Sequence, residues 1–425
     1  MRRISPMILS CVIVGTAAPL HAQLVPAFPP VVERLPDAID RTVAGTLDRV
    51  EPVATAARTL IVDRTRRLRD LVSTQSSTLE FDADGDPAVR GELMIVDATP
   101  DVMRRATEAG FTLIGEERID GLDIVYTRLA TPRGMKLARA EKRLRAIAGD
   151  AAVSADQLHF QSGASAPTSI LALAGQPAPP RPAASIGMID AGVARHPTLS
   201  GPIEQRGFAG APRPSDHGTA IASLLVGGPP MRSPAAGSRL FVADVYGGSP
   251  AGGNAAAIAR ALGWLSAQRV PVVTISLVGP RNPLLERVVR AAQARGMMIV
   301  AAVGNDGPAA PPAYPASYDG VIAVTGVDGR NRALIEAGRA LHLDFAAPGA
   351  DMRAADGRGG MGTVRGTSFA APLVAASLLA HYPSPDPARR DAAYRALARE
   401  AADLGVKGPD KLYGQGLICG ACRVR

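Results

Sequence analysis

Three polar residues stand where the chain alternates apolar runs with helical stretches, and each has the means to do chemistry. Asp190 closes the apolar run Ile186–Ile189 and precedes Ala191-Gly192-Val193. A carboxylate at a strand end can orient a histidine, bind a metal or cap a turn. His217 lies in Ser215-Asp216-His217-Gly218-Thr219-Ala220, ahead of apolar Ile221–Val226, which puts it at a helix start. Taken alone it serves equally well as a structural histidine. Ser368 lies in Arg365-Gly366-Thr367-Ser368-Phe369-Ala370-Ala371-Pro372 and opens an apolar helix running to about Ala380. A helix N-terminus offers unpaired N–H groups and a partial positive charge, which suit a developing oxyanion. Gly366 permits a tight approach, and an ordinary N-cap is the other reading of the same residues.

Taken together, the order Asp, His, Ser, with separations of 27 and 151 residues, resembles the subtilases, the subtilisin-like serine proteases. Subtilisin is itself the reference case for that order. A fourth element fits: Ala301-Ala302-Val303-Gly304-Asn305-Asp306-Gly307 ends the apolar run Met297–Val303 and is similar to the family segment whose Asn completes the oxyanion hole. Further similarity runs through His196-Pro197, Trp264, Ser276-Leu277, Tyr314-Pro315-Ala316, Ala347-Pro348-Gly349 and Tyr413-Gly414-Gln415-Gly416, so it spans about 185–420.

The resemblance implies roles. Ser368 is the expected nucleophile, His217 the base that takes its proton and returns it to the leaving amine, and Asp190 the group that orients the imidazole. Asn305 and the Ser368 N–H are the expected oxyanion donors. Ser276, Leu277 and Val278 resemble one wall of the substrate groove, Gly252 and Gly253 the opposing strand, and Ala313 the far end of the side-chain pocket. Val278 stands where glycine is common, so its methyls are expected to narrow the pocket and favour small or medium apolar residues (Ala, Leu, Met) before the cut bond. The stretch Gly227–Gly237 replaces a longer calcium-binding loop of many members and holds no Asp, Asn or Glu; Thr198 stands where a ligand Asp is frequent. Calcium needs about six oxygens, so that metal site is expected to be absent. No cofactor is implied.

These residues need a scaffold. From Ser185 the apolar runs Ile186–Ile189, Leu240–Val245, Val270–Leu277, Met297–Val303 and Val321–Val324 alternate with helical Asn254–Gln268 and Pro283–Arg295. Repeated β-α-β with continuously apolar strands predicts a doubly wound, mostly parallel sheet with helices on both faces over 185–425. Its chemistry belongs beyond the carboxyl ends of the strands. Residues 86–162 follow another rhythm. A strand at Gly91–Ala98, a helix at Asp101–Gly110, strands at Phe111–Arg118 and Leu122–Leu129, a basic helix at Gly134–Ile147 and a strand at Val153–Phe160 give β-α-β-β-α-β, a small ferredoxin-like α+β domain. It occupies the place of the family's propeptide, which implies an intramolecular inhibitor. Residues 163–184, rich in Pro, Ala and Ser, read as a linker, and self-cleavage is expected between Phe160 and Ala184. Residues 23–85 carry helical apolar spacing outside the family pattern and receive no assignment.

Residues 1–22 read as an export signal: a short basic start, the apolar run Met7–Leu20, and Ala22 before a predicted cut. The expected location is therefore secreted or periplasmic. No later segment reads as a membrane anchor. Export would leave Cys419 and Cys422 in an oxidising compartment, where they either close a small loop or stay free. With 47% hydrophobic and 20% charged residues in 425, the chain is globular. The formal charge of +8 comes mostly from dispersed arginines, which argues against nucleic acid as a partner. Polypeptide substrates are the expected partners. A catalytically silent scaffold would have no need of all four filled positions, and an esterase of the Gly-x-Ser-x-Gly type lacks its elbow around Ser368.

Overall fold

The computed structural model describes residues 47–166 and 184–424. The export signal 1–22, the start of the 23–85 segment and most of the linker lie outside those residues. Residues 51–425 form one compact unit. Its first helix, α1 (Leu47–Thr74), is a single 28-residue element where one or two were expected. It leads into β1 (Leu79–Phe81), β2 (Pro87–Val96), α2 (Pro100–Glu108), β3 (Thr112–Ile119), β4 (Ile124–Ala130), α3 (Leu137–Ala148) and β5 (Ala152–Gln157). The strands pair antiparallel, β5 and β4 on either side of β2, and β3 outside β4. This is the ferredoxin-like arrangement. Asp101 sits in the first turn of α2 and Gly110 (φ +90°) ends the segment, as the sequence predicts, and the Thr99 hydroxyl adds a cap by accepting from Val102 N. The small sheet also takes in β1, so it begins at Leu79, ahead of the expected boundary at 86.

The last strand of the small sheet is shorter than expected. After the Leu158 N–H bonds Pro87 O, the chain leaves β2. Residues 158–166 find their backbone partners on the larger sheet's side through β6 (Phe160–Gln161) and β7 (Ala164–Ala166). Strand β7 therefore lies within the stretch read as linker.

The larger part follows the doubly wound expectation. Its elements are β8 (Ser185–Asp190), β9 (Ile203–Gly207), α4 (Asp216–Val226), β10 (Arg239–Asp244), α5 (Ala255–Ala267), β11 (Val272–Ile275), β12 (Leu277–Val278), α6 (Pro283–Ala294), β13 (Met298–Ala302), β14 (Ile322–Val327), β15 (Phe345–Pro348), β16 (Met352–Ala355), β17 (Met361–Arg365), α7 (Thr367–His381) and α8 (Arg390–Ala398). Seven parallel strands run in the order β15-β14-β13-β11-β8-β10-β9. Because β8 has β11 on one side and β10 on the other, the order turns at β8, the place where such sheets open a crevice. Helices α4 and α7 pack on one face with Ile186, Val242, Val300 and Val324. Helices α5 and α6 cover the other with Ile189, Phe241, Val273 and Ile299. The same second core takes in Met94, Val96, Ile119 and Tyr126, so the small sheet lies on α5 and α6 while α2 and α3 cover its outer face. Cys419 and Cys422 are joined as a disulfide.

One buried amide ties the small sheet to helix α6. Asn282 caps α6 by accepting from Leu285 N at 3.1 Å. Its Nδ2 donates to Gln157 Oε1 (2.6 Å) and Ala155 O (3.2 Å) at the end of β5. Replacing Asn282 by Ala removes a cap and strands buried acceptors, so it should destabilise the chain by about 1–3 kcal/mol. Asn282→Asp, which keeps the cap alone, should also lose stability. Urea unfolding of the full chain in a Ser368→Ala background measures this; a midpoint unchanged by Asn282→Ala would contradict it.

Candidate active site

Asp190 is the last residue of β8, at the carboxyl edge where the strand order turns. It is fully buried, and its Oδ1 meets His217 Nδ1 at 3.0 Å, the Ala191 N–H at 2.8 Å and Gln161 Nε2 at 2.8 Å. His217 is in the first turn of α4, which Ser215 caps by accepting from Gly218 N. A carboxylate beside Nδ1 places the proton of a neutral imidazole there, so Nε2 is left as an acceptor. That atom is buried and has no hydrogen-bond partner.

Ser368 is the second residue of α7, after Gly366 at φ +141°. A Cβ on Gly366 would come within 2.7 Å of both Asn305 Nδ2 and Gly163 Cα, so glycine is required for this approach. Pro372 stands four residues after Ser368 and has no N–H to give to the Ser368 carbonyl. Ser276 Oγ donates to that carbonyl instead, at 2.9 Å. The helix start is thus held by a side chain from the strand edge.

Asn305 follows β13. Its Oδ1 accepts from Thr367 N at 3.0 Å, and its Nδ2 is buried without a partner. The Ser368 N–H donates to Ser162 O at 3.3 Å. The same Cβ position on Gly366 lies 3.2 Å from Ser162 O and 2.7 Å from Asn305 Nδ2, so donor and acceptor border one small space.

The groove is filled by the chain itself. β6 pairs antiparallel with β12, Phe160 opposite Val278 and Gln161 opposite Leu277. Ser162 N donates to Ser276 O (3.4 Å) and His159 N to Gly253 O (2.7 Å). A Cβ on Gly253 would stand 2.3 Å from His159 O, which explains a glycine with φ +77° there. Gly252 turns toward Tyr246 instead. Ala313 and Val278 line a cavity of about 630 Å³ that also takes in Asn305. Val278 Cγ1 is 3.3 Å from the Cβ position of Gly304 across it.

The structure therefore brings Asp190 to His217, and Asn305 and Ser276 to Ser368. It does not join His217 to Ser368. The Ser368 hydroxyl instead pairs with Ser162 Oγ at 2.6 Å. Sequence reasoning missed His159, Gln161 and Ser162. The available signal was an extended stretch ending in small Ser162-Gly163 directly ahead of Pro- and Ala-rich chain.

Two buried groups at this junction carry shifted proton affinities. Burial pushes His159 down to about 4. The carbonyls of Gln157 and Pro280 lie near its ring, but neither nitrogen reaches hydrogen-bond geometry. Burial pushes Asp156 up to about 7, although it accepts from Ala256 N at the start of α5 (2.9 Å). Among the described residues, Asp82, Asp84 and Glu141 gather within 4.8 Å, as a metal site would need. Arg145 and backbone N–H groups already compensate them.

Residues 182–416 match the sequence model of the Subtilase family. The chain is 28% identical over 241 residues to the Minor extracellular protease Epr of Bacillus subtilis (strain 168), covering 55% of this chain and 37% of that protein. It is 30% identical over 244 residues to Subtilisin Savinase of Lederbergia lenta, covering 55% and 87%. The chain thus spans little more than a third of Epr. Fervidolysin from Fervidobacterium pennivorans, described as a keratinolytic enzyme related to subtilisin, superposes with a TM-score of 0.62 at 17% identity over 80% of this chain and 61% of that one. That likeness speaks to the fold.

The two shifted groups act in opposite senses. His159 prefers to be neutral in the folded chain, so its contribution is present above about pH 6.5 and is lost as pH falls toward about 4. Asp156 prefers to be protonated, so its contribution is present below about pH 4 and is lost as pH rises toward about 7. Relative to the Ser368→Ala parent, Asp156→Asn should gain stability as pH rises across this window and His159→Leu should lose it. Thermal unfolding at several pH values reads both slopes; variants that track the parent at every pH would contradict the assignment.

Proposed function

Because the chain belongs to the subtilase family, we propose that it is an exported serine endopeptidase made as a precursor that cuts itself at the Ser162–Gly163 bond. The observation that carries this reading is the carbonyl of Ser162, which sits on the Ser368 N–H while its own N–H bonds Ser276 O. A peptide bond is thereby presented to a serine hydroxyl whose neighbouring imidazole has a free acceptor.

The chemistry follows from these atoms. Ser368 Oγ turns from Ser162 Oγ toward His217 Nε2 and attacks the Ser162 carbonyl carbon as Nε2 takes its proton. Asp190, buried against Nδ1, stabilises the resulting imidazolium. Negative charge forms on Ser162 O, where the Ser368 N–H and Asn305 Nδ2 receive it. Removing one such donor costs about 2.7–4 kcal/mol, a value established on subtilisin itself. As the C–N bond breaks, His217 passes the proton to Gly163 N. An ester between Ser162 and Ser368 Oγ remains, and water releases it by the reverse sequence. External polypeptides enter the same groove once residues 158–162 have left. Until they leave, the small domain acts as the chain's own inhibitor. The basic start and apolar run within residues 1–22 support export, and among the described residues no helix is long and apolar enough to cross a membrane.

Mature enzyme should begin at Gly163, and the Ser368→Ala chain should remain uncut. N-terminal sequencing and intact mass decide this; a start elsewhere, or processing of Ser368→Ala in a protease-free preparation, would contradict it. The pocket opposite Gly304 is narrowed by Val278, so cleavage is favoured after small or medium apolar residues. Val278→Gly should shift preference toward Phe and Tyr by about tenfold or more in kcat/KM. A peptide amide series measures this, and a wild-type preference for Phe or Tyr left unchanged by Val278→Gly would overturn it.

A further inference from the structure

The backbone of residues 158–162 fills the groove but leaves its side-chain pocket unfilled, because Ser162 is small and its hydroxyl turns to Ser368. The pocket is closed by another part of the chain. Along α1, Leu60, Arg64, Arg67, Leu68 and Leu71 recur at three- and four-residue steps, so they share one helix face. Leu60 Cδ1 lies 3.0 Å from the Cβ position of Gly307. Arg64 Nε and Arg67 Nη2 reach the two oxygens of Asp306 at 3.1 and 2.6 Å. Arg64 also approaches Asp86 of the small domain at 3.8 Å. Leu68 and Leu71 line the same cavity as Val278 and Ala313. Asp306 directly follows Asn305, so this clamp grips the residue next to the oxyanion donor. Of the described residues from the end of α1 to the end of β5, Asp86 and Pro87 alone line the cavity.

We propose that α1 is a second inhibitory element of the precursor, a strap held over the side-chain pocket by Asp306 and separate from the segment that blocks the groove. This rests on the protease reading above. The strap's hold does not involve the Ser162–Gly163 bond, so cutting that bond leaves it in place. Its ion pairs are partly exposed, with Arg67 61% accessible, so salt loosens them. Activity on external peptides therefore lags behind self-cleavage, and the lag shortens with ionic strength.

The test has two arms on the full chain. In the Ser368→Ala background, Arg64→Glu/Arg67→Glu should speed amide exchange in α1 and in 303–313 at least about threefold, with β2 and β5 unchanged. Raising NaCl from about 0.05 to about 1 M should do the same in the parent only. The milder Arg64→Gln/Arg67→Gln pair should move exchange in the same direction. Unchanged exchange at 303–313 in both pairs would overturn the strap. In the active chain, the interval between self-cleavage and turnover of an added peptide amide should shorten at least about threefold in both double variants. Equal intervals would overturn its inhibitory role. Failure of every chain to process would overturn the Ser368 assignment instead, and the exchange arm would still decide the strap.

Discussion

The antiparallel pairing of residues 158–162 with the edge strands of the groove is the contact on which the other arrangements depend. A peptide backbone carries obligatory donors and acceptors, and burying it requires partners for them. Here Gly253, Ser276, Val278 and the Ser368 N–H supply those partners. The register is thereby set. With Phe160 opposite Val278, the Ser162 carbonyl can only fall at the start of α7. One residue of slip would put each side chain on the other face and move the carbonyl away from Ser368. The small domain fixes that register from behind, through Gln157 of β5, which accepts from Asn282, and Asp156 of β5, which accepts from Ala256 N at the start of α5.

The site is built from ends of elements more than from their interiors. Asp190 ends β8, His217 begins α4, Asn305 follows β13 and Ser368 begins α7. Ends leave N–H groups and side chains free to face a ligand, and each here has been given a second support. Ser215 caps α4, Thr367 N holds Asn305 Oδ1, and Ser276 Oγ replaces the hydrogen bond that Pro372 cannot make. These supports fix a helix start without spending the groups that face the Ser162 carbonyl.

Much of this was legible in the sequence. Continuously apolar runs predicted the parallel sheet, and the Asp–His–Ser order with its flanking residues pointed to the family and to the carboxyl edge. The small domain's element order was legible for the same reason, since Asp101 and Gly110 mark where the periodicity of α2 starts and stops. Three things were not. The strand at Val153–Phe160 reads as continuous because nothing in its composition marks where its partner changes from β2 to β12. The place of Ser162 depends on a register between strands more than 100 residues apart. The contact of α1 with Asp306 was hidden because Arg64 and Arg67 look like an ordinary solvated helix face until Asp306 is placed opposite them.

The central claim is that Ser368, activated by His217, is open to external reagents only when residues 158–162 have vacated the groove. Labelling by a fluorophosphonate, followed by peptide mapping, tests this directly. The account predicts an adduct on Ser368 in mature enzyme, little labelling of the precursor before it is cut, and loss of the adduct in His217→Ala. An adduct on another residue, or a precursor labelled as fast as the mature form, would contradict it.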